Sequence, residues 1–190
     1  MIYVHESALI EEGVTIGDGS RIWHDVHVRK GASIGERCIL GKGVYVDADV
    51  PIGDDCKLQN YACIYRGARL GRGVFAGPHV VFANDMRPRA TDPQFKLLGD
   101  EDWEAGSISV ADGAAIGANS TILPGITIGR WAMIGAGSVV RHDVPDYALA
   151  AGSPARLIGW VCACGDRVTS RRCPRCGEIP SDHPLRNNES

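Results

Sequence analysis

The sequence predicts an all-β protein: a parallel β-helix of hexapeptide repeats, interrupted by one long inserted loop and followed by a small cysteine-bound ribbon. Three observations carry this reading. From Val4, aliphatic or small residues recur at every sixth position: Ile10, Ile16, Ile22, Val28, Ile34, Leu40, Val46, Ile52, Leu58, Ile64, Leu70, Ala76 and Phe82. A second row of small or aliphatic residues follows four positions behind, running Ala8, Val14, Ser20, Val26, Ala32, Cys38, Val44 and on to Val80. Neither a helical period of 3.6 nor strand alternation produces this pair of rows, whereas a hexapeptide β-helix does. The series stops at Phe82 and resumes at Val110, Ile116, Ile122, Ile128, Ile134 and Val140. That interval of 28 residues is not a multiple of six, so a loop must leave the helix there.

Each hexad supplies a short strand and a corner, and three hexads close one triangular coil, so residues 18 apart stack. Burying each aliphatic is worth roughly 1.5–3 kcal/mol, and stacking makes those gains contiguous. The hexads count to between six and seven coils, about 32 Å of stack at the strand spacing. Residues 1–158 read as the β-helix domain with its loop at about 85–107, residues 159–178 as the ribbon, and residues 179–190 as a polar, mobile tail. Residues 157–161 read as a short strand or helix leading into the cysteines. Cys38 and Cys56 hold inward positions on neighbouring coils and read as small buried hydrophobes.

Composition excludes several classes of function. A net charge of −3 with no clustered basic stripe gives no electrostatic case for a nucleic-acid partner. The start lacks a basic n-region, and no run approaches the roughly 18 apolar residues of a spanning helix. A cytoplasmic protein with no membrane partner is expected.

Stacking also allows the three corners to be compared. One repeats Ile16-Gly-Asp-Gly, Ile34-Gly-Glu-Arg, Ile52-Gly-Asp-Asp and Leu70-Gly-Arg-Gly, a regular structural pattern. The other two replace it with polar and aromatic columns that include Trp23, His24, Gln59, Asn60, Tyr61, Tyr65, Arg66, His79 and Asn84. Gln59, Asn60, Tyr65, Arg66 and Asn84, beside the long loop, form a candidate binding site. Arg66, Arg87 and Arg89 are candidate diphosphate or carboxylate partners, because a guanidinium fork suits both groups. His24 and His27 read as packing or interface histidines before they read as bases, and His24 is retained as a candidate base.

At these residues the chain resembles the hexapeptide-repeat acyltransferases, and within them the N-acetyltransferases of UDP-linked 3-amino sugars. The resemblance rests on Arg21-Ile-Trp-His-Asp-Val-His-Val, Leu58-Gln-Asn-Tyr-Ala-Cys-Ile-Tyr, Gly77-Pro-His-Val-Val-Phe-Ala-Asn-Asp, Arg87-Pro-Arg and residues 147–160. It implies a left-handed β-helix, a homotrimer with sites between subunits, and transfer of acetyl from acetyl-CoA to a sugar amine. Asn84 matches the asparagine that holds the reacting amine, and Gln59 and Asn60 match a polar pair lining the same cleft. Gly152, Ser153, Pro154 and Ala155 match the turn that borders coenzyme A, with Arg156 placed to meet its phosphates. The loop Gln94-Phe-Lys-Leu-Leu-Gly-Asp-Glu-Asp-Trp departs from the pattern. A metal hydratase like the γ-carbonic anhydrases, built on His24, His27 and His79, and a non-catalytic β-helix scaffold are the alternatives.

Cys162-Ala-Cys164-Gly and Cys173-Pro-Arg-Cys176-Gly, with eight residues between the pairs, read as a four-thiolate structural zinc site. About 20 residues cannot bury a core of their own, so a metal is the natural staple.

Overall fold

The computed structural model describes residues 1–187 and shows a parallel β-solenoid. Its wall consists of three parallel sheets built from strands of two or three residues. The first sheet stacks eight rungs from Tyr3–Val4 to Ala148–Gly152, the second seven from Leu9–Ile10 to Val139–Val140, and the third six from Thr15–Ile16 to Ile126–Ile128. The register is the predicted 18 residues, as in Tyr3↔Arg21, His27↔Tyr45 and Ser33↔Pro51. The eighth rung of the first sheet exceeds the six to seven coils counted from hexads. Beyond Val140 the chain makes one more turn, through Val144 and Ala148, without keeping the six-residue spacing.

Both predicted rows point inward. Every member of the first row from Ile22 to Phe82 and of the second from Ser20 to Val80 is buried. The serines of the second row fit because each hydroxyl is satisfied. Ser20 Oγ donates to the Gly35 carbonyl at 2.8 Å and accepts the Cys38 N–H at 2.9 Å, and Ser120 Oγ donates to the Gly135 carbonyl at 3.1 Å. The thiols of Cys38 and Cys56 likewise donate to the carbonyls of Gly53 and Gly71.

The regular corner between the third and first sheets is held by acid-to-backbone contacts. Asp54 accepts the Glu36 N–H, Asp112 that of Arg72, and Asp146 that of Arg130, at 2.7–2.8 Å. Asp55 joins Arg37 and Arg72 on the outside. The insertion leaves after Val81–Phe82, at the corner between the second and third sheets, and the wall resumes at Ile108–Val110, which pairs in register with Ala68–Leu70.

At the carboxyl end, Ala148–Gly152 turns back as the antiparallel strand Ala155–Val161, which pairs in turn with Arg167–Val168. This strand runs through position 158, so the expected boundary between β-helix and ribbon falls inside an element. Residues 157–161 are strand throughout. The expected mobile tail is folded back over its described length. Ile179 and His183 are buried, Asp182 accepts hydrogen bonds from the Tyr147 hydroxyl (2.9 Å) and Arg130 (2.7 Å), and Pro184–Asn187 forms a helical turn. One apolar and one polar anchor, spaced across a hydrophilic stretch, suffice to dock it. Residues 188–190 lie outside the described residues. No helix among the described residues is long and apolar enough to cross a membrane.

Leu58 sits fully buried at mid-stack. Leu58→Ala is expected to cost about 2–5 kcal/mol of stability, read as a lower urea-unfolding midpoint at an unchanged slope.

Candidate functional site

The six-residue grid delivers the predicted site residues to two different corners. At the corner between the first and second sheets, Trp23, His24, Gly41, Lys42, Gln59 and Asn60 line an open hollow of about 290 Å³. Aromatic stacking organises it. His24 lies on His5 with ring centroids 3.6 Å apart, Trp23 tilts against Tyr3 at 5.5 Å, and Tyr61 stacks on His79 at 5.2 Å. Gly43, at φ +65°, leaves the space Tyr61 occupies, since a Cβ there would collide with the ring. Tyr61 and His79 themselves hold φ near +60°, a conformation side chains rarely adopt. Asn60 Oδ1 accepts the Lys42 N–H at 3.0 Å, the same corner-to-corner contact the aspartates make elsewhere, and its amide NH₂ has no partner among the described residues.

The corner between the second and third sheets carries the other predicted residues. Arg29, Lys30, Asp47, Arg66, Trp103 and Ala105 line a hollow of about 220 Å³. Arg29 is committed to Asp47 (3.2 Å) and Glu11 (3.4 Å), and Glu11 also bonds His27 Nε2 at 2.7 Å. The His27 contact first, then the Lys30 backbone N–H, holds the Glu11 carboxyl below its usual range. Asp47 in turn accepts the Arg66 N–H. Lys30 and the Arg66 guanidinium have no acidic partner among the described residues, unlike the paired Arg37, Arg72 and Arg130. Tyr65 is half-buried beside Tyr45, ring centroids 5.5 Å apart, and burial pushes its phenol pKa up.

The insertion begins at this corner. Asn84 is half-buried, its carbonyl accepts the Gly106 N–H at 2.8 Å to close the loop's neck, and its side-chain amide has no partner among the described residues. Arg87 and Trp103 line two further hollows within the loop, of about 470 and 230 Å³, and Arg89 the smaller of them. Trp103 borders all three cavities on this corner and was not singled out from the sequence as a site residue. A tryptophan seven positions before the repeat resumes was the available signal, but the grid carries no information about how a loop folds back.

Asn84, Tyr65 and Arg66 therefore stand on one edge of the second sheet, and His24, Gln59 and Asn60 on the other, with the row His27, Tyr45, Cys63 and Val81 between them. One chain does not gather them into a single hollow. The three histidines considered for a metal do not converge either: His24 is stacked on His5, His27 bonds Glu11, and His79 covers Tyr61.

The 152–156 segment forms the hairpin turn at the carboxyl end. Gly152 takes φ +105° and donates its N–H to Ser138 Oγ at 3.1 Å, while Ser153, Pro154 and Arg156 are exposed. Ala155, Arg156 and Leu157 border a hollow of about 150 Å³ against Val140, His142 and Pro145.

The ligand atoms of Cys162, Cys164, Cys173 and Cys176 lie within 4.8 Å of one another, with the 162–176 and 164–173 sulfurs 3.5 Å apart. Sulfurs on a tetrahedral zinc stand about 3.8 Å apart for bonds of about 2.3 Å, so four convergent thiols fit that cation. The N–H groups of Cys176 and Arg175 turn towards Cys173 and lower its thiol to about 7, which favours the thiolate a metal needs. Elemental analysis should find one zinc per chain, and Cys173→Ser should lose it.

Comparison with known proteins agrees with this geometry. The model of the bacterial transferase hexapeptide (six repeats) matches residues 3–48 and 107–142, and that of the hexapeptide repeat of succinyl-transferase matches residues 31–66. Over 76 residues the chain is 50% identical to the dTDP-3-amino-3,6-dideoxy-alpha-D-galactopyranose 3-N-acetyltransferase of Aneurinibacillus thermoaerophilus, covering 38% of this chain and 40% of that one. Over 104 residues it is 39% identical to serine acetyltransferase 4 of Arabidopsis thaliana, covering 52% and 29%. Among solved structures, PerB of Caulobacter crescentus in complex with CoA and GDP-perosamine aligns with a TM-score of 0.55 at 27% identity, covering 83% of this chain and 57% of that one. The chain thus spans less than two thirds of the length of each.

Proposed function

We propose that this chain, which belongs to the bacterial hexapeptide-repeat transferase family, transfers acetyl from acetyl-CoA to the amino group of a nucleotide-linked 3-amino sugar. The observation that carries the reading is Asn84: a half-buried side-chain amide with no partner among the described residues, at the neck of the insertion, between Ala83 and the Asp85 that lines a hollow with Arg87 and Trp103. The 50% identity to an amino-sugar 3-N-acetyltransferase supports the same acceptor class.

Acetyl-CoA would supply the activated thioester, held by the 152–155 turn with Arg156 facing its phosphates. A sugar amine flanked by electron-withdrawing groups ionises near an α-amino group, about 7.7–8.0, so a useful neutral fraction exists at pH 7 and no strong protein base is needed. The Asn84 side-chain carbonyl would accept one amine N–H and aim the lone pair, a positioning effect worth several kcal/mol. Arg66, Arg87 and Arg89 would meet the diphosphate of the nucleotide, and Gln59 and the free Asn60 NH₂ the sugar hydroxyls.

The split site supports a homotrimer. The outward residues of the first two sheets are largely apolar or aromatic, as in Ile39, Phe75 and Met133 on one and Tyr45, Cys63 and Val139 on the other, while the third presents Thr15, Ser33, Arg69 and Thr127. Closing a threefold ring through the apolar faces would bring the His24 corner of one copy towards the Asn84 corner of the next. His24 then enters as a candidate base from a second subunit. No observation favours the metal hydratase, whose three histidines point to separate partners, or the bare scaffold, which leaves the free Asn84 amide without a role.

Light scattering should give a trimer, and a stable, fully active monomer would sink the shared-site reading. Thiol release from acetyl-CoA should require an amino sugar bearing UDP, dTDP or GDP, with serine inert. Asn84→Ala should lower turnover about 100-fold while CoA affinity and melting temperature stay close to wild type. A purely structural asparagine would give the reverse.

A further inference from the structure

The hairpin that closes the solenoid is held unevenly. Its strands run five and seven residues, Ala148–Gly152 and Ala155–Val161, and their pairing is irregular between Leu149 and Ala150. At the turn end Arg156, Leu157 and Ile158 are exposed, and of the first four residues only the small Ala155 packs on the solenoid core. At the other end Val161 is 1% and Cys162 3% exposed. The Val161 N–H donates to the Tyr147 carbonyl at 2.8 Å, and its carbonyl lies 3.0 Å from His183 Nε2. The next residue is the first of the four cysteines.

The apolar cluster around those cysteines meets the solenoid core through Trp160 and has Cys162, Val168, Cys173 and Ile179 as its buried members among the described residues. So small a cluster orders a segment only with a metal to staple it. Apart from its ladder to the last rung and the packing of Ala155 and Trp160 on the solenoid core, the second hairpin strand is held at its far end, where it runs into the thiolate knuckle.

We propose that metal bound by Cys162, Cys164, Cys173 and Cys176 is the positioning clamp of this hairpin, and so sets the affinity of the 152–156 turn for coenzyme A without taking part in acyl transfer. This rests on the reading of that turn as the coenzyme site. With the knuckle open, the strand loses its fixed end and Arg156 spreads over many positions relative to the hollow beside Val140 and Pro145. Affinity then falls by the fraction of chains still competent to bind. The acceptor corners belong to the solenoid core and stay as they are.

The test strips zinc from the wild-type protein with a chelator, confirms the loss by elemental analysis, and then returns the metal. Coenzyme A binding is measured by calorimetry, the two KM values by thiol release, and backbone opening by hydrogen exchange. Stripping should weaken coenzyme A binding at least tenfold and raise the KM for acetyl-CoA in step, with the KM of the amine and kcat within twofold. Exchange should quicken across residues 148–161 and stay unchanged in the solenoid wall, and added zinc should reverse all of it. Arg156→Ala should weaken coenzyme A binding with its zinc retained. Unchanged coenzyme affinity in the zinc-free protein, alongside a loss in Arg156→Ala, overturns the clamp and leaves the coenzyme site standing. Wild-type coenzyme binding by Arg156→Ala overturns both, and collapse of the whole solenoid on stripping overturns the clamp in favour of a global staple.

Discussion

Backbone hydrogen bonds between successive coils place the candidate residues on the two solenoid corners, from His24 to Asn84. Away from the insertion and the last turn, each short strand donates to the carbonyls of the rung 18 residues on, as in Arg21 N–H to Cys38 and Gly41 N–H to Leu58, both 2.8 Å. Because the strands are so short, corners make up most of the chain, and each corner must satisfy its own backbone groups. Aspartates and asparagines do this from the coil above. A corner residue is thereby free to do chemistry only where another atom holds the backbone, which is why Asn60 offers one half of its amide and Asn84, at a corner opened by an insertion, offers the whole.

The wall was legible in the sequence nearly residue by residue, because a period of six assigns two inward positions to every hexad, and only the last turn, past Val140, escapes it. Even the serines at 20, 120 and 138 obeyed the rows, their hydroxyls taken up by glycine carbonyls. Stacking columns also placed Gln59, Asn60, Tyr65 and Arg66 on the right corners. What they did not give was the distance between corners: a table of columns has no width, and it made one site of residues that stand on two edges of a sheet. The insertion was illegible for a different reason, since Trp103 owes its position to the fold of a loop without periodicity. The tail was misread because its anchors, Ile179 and His183, are two residues scattered in a polar sequence, and docking depends on Tyr147 and Arg130 far away in the chain.

Two cores meet at Trp160, which packs against both. The solenoid core runs unbroken from Ile22 to Ala150, while the cysteine cluster contributes four buried residues of its own. The hairpin links them, with its turn on the coenzyme side of the proposed site and its far end in the thiolate knuckle. On the proposed reading, the acceptor side would draw its rigidity from burial and the coenzyme side part of its rigidity from coordination by the four cysteines.

The neck of the insertion has an evolutionary consequence. A single hydrogen bond from Gly106 N–H to the Asn84 carbonyl, at 2.8 Å, closes it, and the wall resumes in unbroken register on either side. Doubling the length of such a loop costs only about 0.6 kcal/mol in closure entropy. Residues 85–105 can therefore be lengthened, shortened or replaced without disturbing the rungs that hold Asn84. On the proposed reading, rewriting that segment changes what the insertion presents to an acceptor, while the rungs beneath Asn84 keep their place.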